Sequence, residues 1–312
     1  MVFLMHVVPI FTGGTGRSGT SIVSSMLSRH TNLQSSRPHE LRILSEAQGL
    51  IDLNFMRPPP APSSIRGLKT YVRELAFYLP TTDKIKKFES KMRGPWWSRT
   101  GKSGKEVGLS LALDGEQLEA LLVQFRIDYE IDPKMATQKL YEGIAVYQFA
   151  SKNKSHFIDS TPTSIMDSKY LHSLFPDSRF INMVRDGRDV AFSIANQPWG
   201  PNTPFEALAM WKKRMIRGDA ALSKVCPEAK MTLRLEDLVV HRREESYEGI
   251  LSFLEVPDDA GMRKFFDSRM SEARMSVGAW RSEVDDPIKY EQRYFEILDD
   301  LEGRGIHVER MY

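Results

Sequence analysis

Residues 13–21 read GGTGRSGTS and place four glycines, one arginine and four hydroxyls in nine positions. An apolar run (Val7, Val8, Ile10, Phe11) precedes them, and Ile22, Val23, Met26 and Leu27 follow at helical spacing. A buried strand, a Gly-rich turn and a helix start form an anion site, because the first helical amides lack internal partners and the helix dipole favours negative charge there. Arg17 adds a fixed positive charge. Three ligand classes fit such a loop. Gly14, Gly16 and Gly19 spell G-x-G-x-x-G, with Glu40 at the distance of a ribose-binding carboxylate, but Asn32 to Ser36 is polar and does not read as the second strand of a dinucleotide fold. Gly14 to Ser21 nearly spells the nucleoside-triphosphate loop, but Thr20 stands in place of its lysine. The third class is a single phosphate joined to one further anionic group, which suits the earlier cation, Arg17. The bland alternative is a Gly-rich turn with no ligand.

Residues 179–193 read RFINMVRDGRDVAFS. Phe180, Ile181, Met183 and Val184 form a short strand, Arg185 ends it, and a helix begins at Val190. A guanidinium at a strand terminus, with the Ser193 hydroxyl about two helical turns beyond, can clamp a phosphate through charge-assisted bonds. Alternatively, Arg185, Asp186, Arg188 and Asp189 form a surface ion cluster of little energetic value.

Taken together, the two segments resemble the sulfotransferases that use 3′-phosphoadenosine 5′-phosphosulfate (PAPS). The resemblance implies that Gly16, Arg17, Ser18, Gly19, Thr20 and Ser21 hold the 5′-phosphosulfate, and that Arg185 and Ser193 hold the 3′-phosphate. Asp159-Ser-Thr161-Pro162 resembles the family's D-x-T-P turn, and Arg234 to Leu238 its R-Y-E-D-L segment. Gly278-Ala-Trp280-Arg281 resembles a late G-x-W-[RK] element that helps cover the nucleotide, which makes Trp280 a donor-binding candidate. Two departures stand out. Leu235 replaces an aromatic that touches the nucleotide in some members. Arg17 stands where cytosolic members carry lysine, as in carbohydrate, tyrosylprotein and many bacterial sulfotransferases. A position similar to Glu40 holds a catalytic glutamate in tyrosylprotein sulfotransferases. Glu40 is therefore the expected general base, with His39 as runner-up; pairing with Arg42 or helix capping is the structural alternative. Arg17 is expected to bridge the leaving oxygen.

The elements that must position these groups follow from periodicity. Met5 to Phe11, His156 to Asp159, Arg179 to Val184 and Met231 to Leu235 read as strands separated by helical stretches. That alternation predicts an α/β fold: a P-loop-like parallel sheet with helices on both faces, in one domain over residues 1–312. Helices are expected at Asp114 to Tyr129, Pro133 to Lys152 and Thr203 to Leu222, with their apolar stripes facing the core. Residues 56–109 break the rhythm with a Pro-rich opening, a lysine cluster, the Trp96-Trp97 pair and a Gly/Lys/Ser stretch. Two readings stay open for this helical or loop insertion: a solvated, mobile segment, or an acceptor lid whose tryptophans stack on a ligand.

A net charge of +2 gives no argument for bulk nucleic-acid binding. Cys226 is the only cysteine, so no internal disulfide or cysteine metal site is expected, which fits a reducing compartment. The histidines show no metal-like spacing. No apolar stretch is long enough to span a bilayer, and a cytoplasmic location is expected. The resulting expectation is in-line, metal-independent sulfuryl transfer from PAPS to a hydroxyl of a small-molecule, carbohydrate or lipid acceptor. A P-loop-type kinase, a non-catalytic nucleotide- or sulfated-ligand-binding module and an NAD-linked oxidoreductase are the alternatives.

Overall fold

The structure, a computed structural model, describes residues 6–59, 65–101, 104–149, 151 and 154–310. The chain opens with β1 (Val8–Gly14), the Gly-rich turn, α1 (Thr20–Leu27) and β2 (Leu33–Ser35). Next come α2 (Leu50–Phe55), α3 (Ile65–Leu75), α4 (Lys84–Met92) and a small antiparallel pair, β3 (Arg99–Thr100) and β4 (Glu106–Val107). The helices α5 (Gly115–Ile131) and α6 (Pro133–Gln148) lead to β5 (His156–Asp159), a 3-10 turn at Pro162–Asp167 and α7 (Ser168–Leu174). Then follow β6 (Arg179–Val184), α8 (Gly187–Ala195), α9 (Pro204–Leu222) and β7 (Lys230–Arg234). The last helices are α10 (Arg243–Leu254), α11 (Ala260–Arg269), α12 (Glu272–Met275), α13 (Trp280–Glu283) and α14 (Pro287–Gly303).

The sheet order is β2-β5-β1-β6-β7, with every pairing parallel. Neighbouring residues along each strand serve opposite faces, as the two-residue period requires. Phe11, Phe157 and Phe180 enter one core with α5, α6 and α7, while Ile10, Ile158 and Ile181 enter another with α1, α10 and α11. The Phe11 and Phe180 rings stack at 5.3 Å. Each fully buried phenylalanine contributes about 1.5–3 kcal/mol. A third core holds α9 and α14 against α8. The chain leaves β1 toward β2 and β5 on one side, then crosses to β6 and β7 on the other. Where a parallel sheet reverses its order, a crevice opens beyond the carboxyl ends of the strands. Here those ends carry the Gly-rich turn, Asp159 and Arg185.

The α/β expectation holds, with four corrections. The first strand starts at Val8, and Met5 lies outside the described residues. Asn32 to Ser36, which read as no strand, contains β2, paired to β5. It is an edge strand of three residues with Leu33 its one apolar side chain, too short for a periodic signal. Its place beyond β5 keeps it off β1, unlike the second strand of a dinucleotide fold. The third predicted helix begins at Pro204, with Thr203 as cap, and the second ends at Gln148; Ala150 and Lys152 lie outside the described residues. Finally, the insertion is not merely solvated. Phe77, Phe88, Met92 and Trp96 are buried in the first core, with Phe88 against Trp96 at 5.7 Å. Of its Pro-rich opening, Pro60 to Pro62 lie outside the described residues. Among the described residues no helix is long and apolar enough to cross a membrane.

Candidate active site

Asp83, Asp114, Asp132, Thr203, Asp259 and Asp286 cap α4, α5, α6, α9, α11 and α14 by accepting from first-turn amides. α1, like α2, α7, α10, α12 and α13, has no such cap. Its cap is Gly19, no side chain accepts from its first amides, and no acid stands in its first turn. Gly16, Arg17 and Gly19 have φ of 82°, 59° and 95°, so the loop curls through the left-handed region and turns its N–H groups inward. Arg17 accepts a strained backbone there, as functional loops do. The result is a concave set of unclaimed donors.

The two arginine segments meet in this loop. The Arg17 Nε donates to Ser193 Oγ at 2.9 Å, 176 residues away in sequence. The Arg185 guanidinium donates to the Arg17 carbonyl at 3.3 Å and to the Met275 and Ser276 carbonyls at 3.0 and 2.8 Å. Asp189 lies 3.4 Å from that guanidinium, and the Arg185 Nε is buried with no hydrogen-bond partner among the described residues. Together they border one cleft of about 1310 Å³ lined by Gly16, Arg17, Gly19, Thr20, Ser21, Glu40, Arg185 and Ser193. That exceeds the roughly 300–1,000 Å³ of an ordinary ligand pocket and leaves space for two molecules.

Three sequence candidates sit elsewhere. Ser18 is buried, with its hydroxyl off the cleft wall and without a partner among the described residues. His39 does not line the cleft; its Nδ1 meets the buried Ser35 Oγ at 3.1 Å. Trp280 is buried in the third core beneath the Arg188 guanidinium at 4.5 Å, and it too is absent from the cleft wall. Its element still serves the site, because Asp189 accepts from the Gly278 and Trp280 amides at 2.7 and 3.3 Å.

The surface-cluster alternative for residues 185–189 is overturned. Arg188 is fully buried, bonded to Asp186 and Glu291 and stacked among Trp280, Tyr294 and Phe295. The weaker sequence echoes are braces around the cleft. Glu236 accepts from the Asp186 amide at 2.8 Å and joins β7 to β6. Leu235 borders the cleft beside Gly19. Asp159 accepts from the Thr161 amide and hydroxyl at 3.0 and 2.7 Å and from the Leu41 amide at 3.3 Å, tying β5 to the segment that carries Glu40. Burial pushes the Asp159 carboxyl up to about 6.

The part of the cleft wall that carries Glu40 also holds Arg42, which lies 3.3 Å from Glu40 and 3.7 Å from Glu46, each side chain about 40 % exposed. The indole of Trp96 donates to Glu46. Sequence reasoning missed two cleft arginines, Arg274 of α12 and Arg214 of α9. Arg214 donates to the Thr15 carbonyl at 2.5 Å and touches Trp199 through its ring face at 5.6 Å. Burial, then neighbouring Arg217, holds its guanidinium below the usual range. Arg17, Arg214 and Arg274 have no carboxylate within ion-pair distance among the described residues. No local pattern marks either missed arginine; only packing brings these helices to the loop.

The profile of a group described as "Sulfotransferase family" matches residues 103–260, half of the chain, including Asp159, Arg185, Ser193 and Arg234. No curated protein matches the chain. The fold is like that of the sulfotransferase domain from the Synechococcus PCC 7002 olefin synthase, at 17 % identity and a TM-score of 0.53 over 97 % of this chain and 96 % of that one. The sulfotransferase domain from the curacin biosynthetic pathway aligns at 18 % identity and a TM-score of 0.46 over 99 % and 94 %. With the matched half of the chain supplying one wall of the cleft and the folded loop at 13–21 supplying the other, the chain belongs to the sulfotransferase family.

Proposed function

We propose that this protein transfers the sulfuryl group of PAPS to a hydroxyl of a small-molecule, carbohydrate or lipid acceptor, without a metal ion. One observation carries the donor assignment: two cationic motifs far apart in sequence converge at one cleft, with Arg17 on Ser193 and Arg185 on the Arg17 carbonyl. The surplus donors fit a ligand bearing two separated anionic groups. These are the uncapped α1 amides, the unpartnered Arg185 Nε, and two arginines that bond only to neutral oxygens. The loop amides with Thr20 and Ser21 would hold the 5′ end, and Arg185 with Ser193 the 3′-phosphate.

The donor supplies a sulfuryl group on a phosphate oxygen. The chain's own work is positioning and charge stabilisation, as in phosphoryl transfer. Arg17 stands where negative charge grows on the leaving oxygen. Glu40 lines the same cleft and takes the proton of the acceptor hydroxyl. Arginine and helix-start amides provide the positive potential that a divalent ion supplies in nucleotide kinases.

The test is thermal shift with adenosine 3′,5′-bisphosphate, ATP with Mg²⁺, and NAD. Only the bisphosphate should stabilise strongly, and EDTA should leave its effect intact. Arg185→Ala should weaken bisphosphate binding about 10- to 100-fold, the worth of a charge-assisted bond. Stabilisation by ATP-Mg²⁺ alone would favour the kinase reading. Transfer of labelled sulfate from PAPS to an acceptor panel then tests the reaction.

A further inference from the structure

The segment from 65 to 93 combines two properties that nothing in the cleft explains. First, α3 leaves an apolar face uncovered. Leu68, Val72 and Leu75 lie at i, i+4 and i+7, so they share one helix face, and they are 49 %, 58 % and 38 % exposed. Leu79, just past the helix, adds a fourth apolar side chain at 54 % exposure. Burial was available nearby: Phe77 and Phe88, in the same segment, are almost completely enclosed. Second, residues 65–93 hold eight basic and three acidic side chains, in a chain whose whole net charge is +2. One of those acids, Glu89, is already taken by Arg93 and Arg126. Lys69, Lys86 and Lys87 are exposed and unpaired among the described residues.

We infer that this leucine-rich, lysine-flanked face docks on an anionic lipid surface. An interfacial helix buries an apolar face in the headgroup region and surrounds it with lysines whose stems snorkel toward phosphates. Each lysine near an anionic leaflet contributes about 1 kcal/mol, close to a fivefold gain in binding. A protein partner is the poorer match. Protein interfaces are depleted in lysine and enriched in aromatic residues at their centre. A second copy of this chain would oppose a like-charged patch to its own.

The placement gives the surface a role. Lys91 Nζ donates to the Ala47 carbonyl at 2.5 Å, and Arg57, whose carbonyl accepts from Tyr78, donates to the Ser45 carbonyl at 2.8 Å. Ser45 and Glu46 belong to the cleft wall at the Glu40 end. A lipid surface held by α3 therefore lies beside that end of the cleft.

The test is flotation of the full chain with phosphatidylcholine vesicles, and with vesicles that also contain phosphatidylglycerol. Binding should require phosphatidylglycerol and weaken as salt is raised. Lys86→Glu with Lys87→Glu should reduce it about tenfold or more. Leu68→Ser with Val72→Ser should abolish it. Thermal melting and bisphosphate binding of both variants should match the parent, which separates lost docking from lost fold or a failed donor site. Absence of the parent from floated phosphatidylglycerol vesicles overturns the inference. So does a parental dimer, seen by sedimentation, that the Leu68/Val72 variant converts to monomer.

Discussion

The two ends of the cleft use the same residue types and reach opposite electrical states. At the donor end, Arg17 bonds to a hydroxyl and Arg214 to a carbonyl, with no carboxylate at ion-pair distance from either among the described residues. At the acceptor end, Arg42 stands between Glu40 and Glu46, and Trp96 adds a neutral donor to Glu46. A guanidinium that bonds only to neutral oxygens keeps its field for a ligand. One shared between two carboxylates has spent it, and in solvent such pairs are worth only about 0–1 kcal/mol. On the proposed reading, the donor end would select by charge, which any anionic nucleotide partly satisfies, and the acceptor end by shape and hydrogen bonding.

The sharpest break in this comparison comes from Glu40, the charge assigned to the acceptor alone. Glu40→Gln should lower kcat about 10²- to 10⁴-fold with bisphosphate affinity unchanged, since a base acts on the acceptor and not on the donor. Normal turnover would leave Glu40 a simple partner of Arg42. Arg17→Ala should cost about 10²- to 10³-fold in kcat, the usual loss for one preorganised charge-stabilising group. If Arg17→Ala instead changed only the donor KM, the arginine would be a binding residue alone.

Asp159 ties β5 to the segment that carries Glu40, and its substitution probes stability. Its carboxyl is raised from 3.8 to about 6 by burial, so the folded state prefers the protonated form. Stability is therefore lost as pH rises from about 4 to about 6, and the cost of up to about 3 kcal/mol persists above that window. Asp159→Asn keeps an acceptor for Thr161 and Leu41 and removes the charge. Its melting temperature should exceed the parent's at about pH 8 and approach it near pH 4, followed by calorimetry. The reverse trend would mean that the ionised carboxylate is stabilising. The smallest effect belongs to Arg42→Ala: within about fivefold in kcat/KM, because its ion pairs are exposed. A loss as deep as that of Arg17→Ala would erase the contrast between the two ends.

Much of the donor end was legible because its signals are local. The glycines, Arg17 and the helix start are consecutive, and strand, Arg185 and Ser193 fall within fifteen residues. The rest of the cleft was less legible, because its groups arrive from separate elements. Glu40 and His39 are neighbours in sequence, yet one enters the cleft and the other faces away; only the path of the backbone separates them. Arg214 and Arg274 lie on helices whose sequences name no ligand. Trp280 looked like a nucleotide cover and is instead core, because Arg188 and Tyr290 enclose its ring. Trp96, read as part of a ligand-stacking pair, is also core.

Sequence alone specified the parallel α/β architecture, the Gly-rich loop before α1 and the second arginine motif. Apolar period, glycine placement and helix-start chemistry are properties of neighbouring residues. Tertiary structure alone decided that Arg17 meets Ser193, that β5 enters between β2 and β1, and that Arg42 is neutralised while Arg214 is not. Those outcomes depend on which distant groups share one crevice. Interactions between charges in water are screened over about 8–10 Å at ordinary salt, so spatial proximity, and not sequence spacing, sets the charge that a ligand meets.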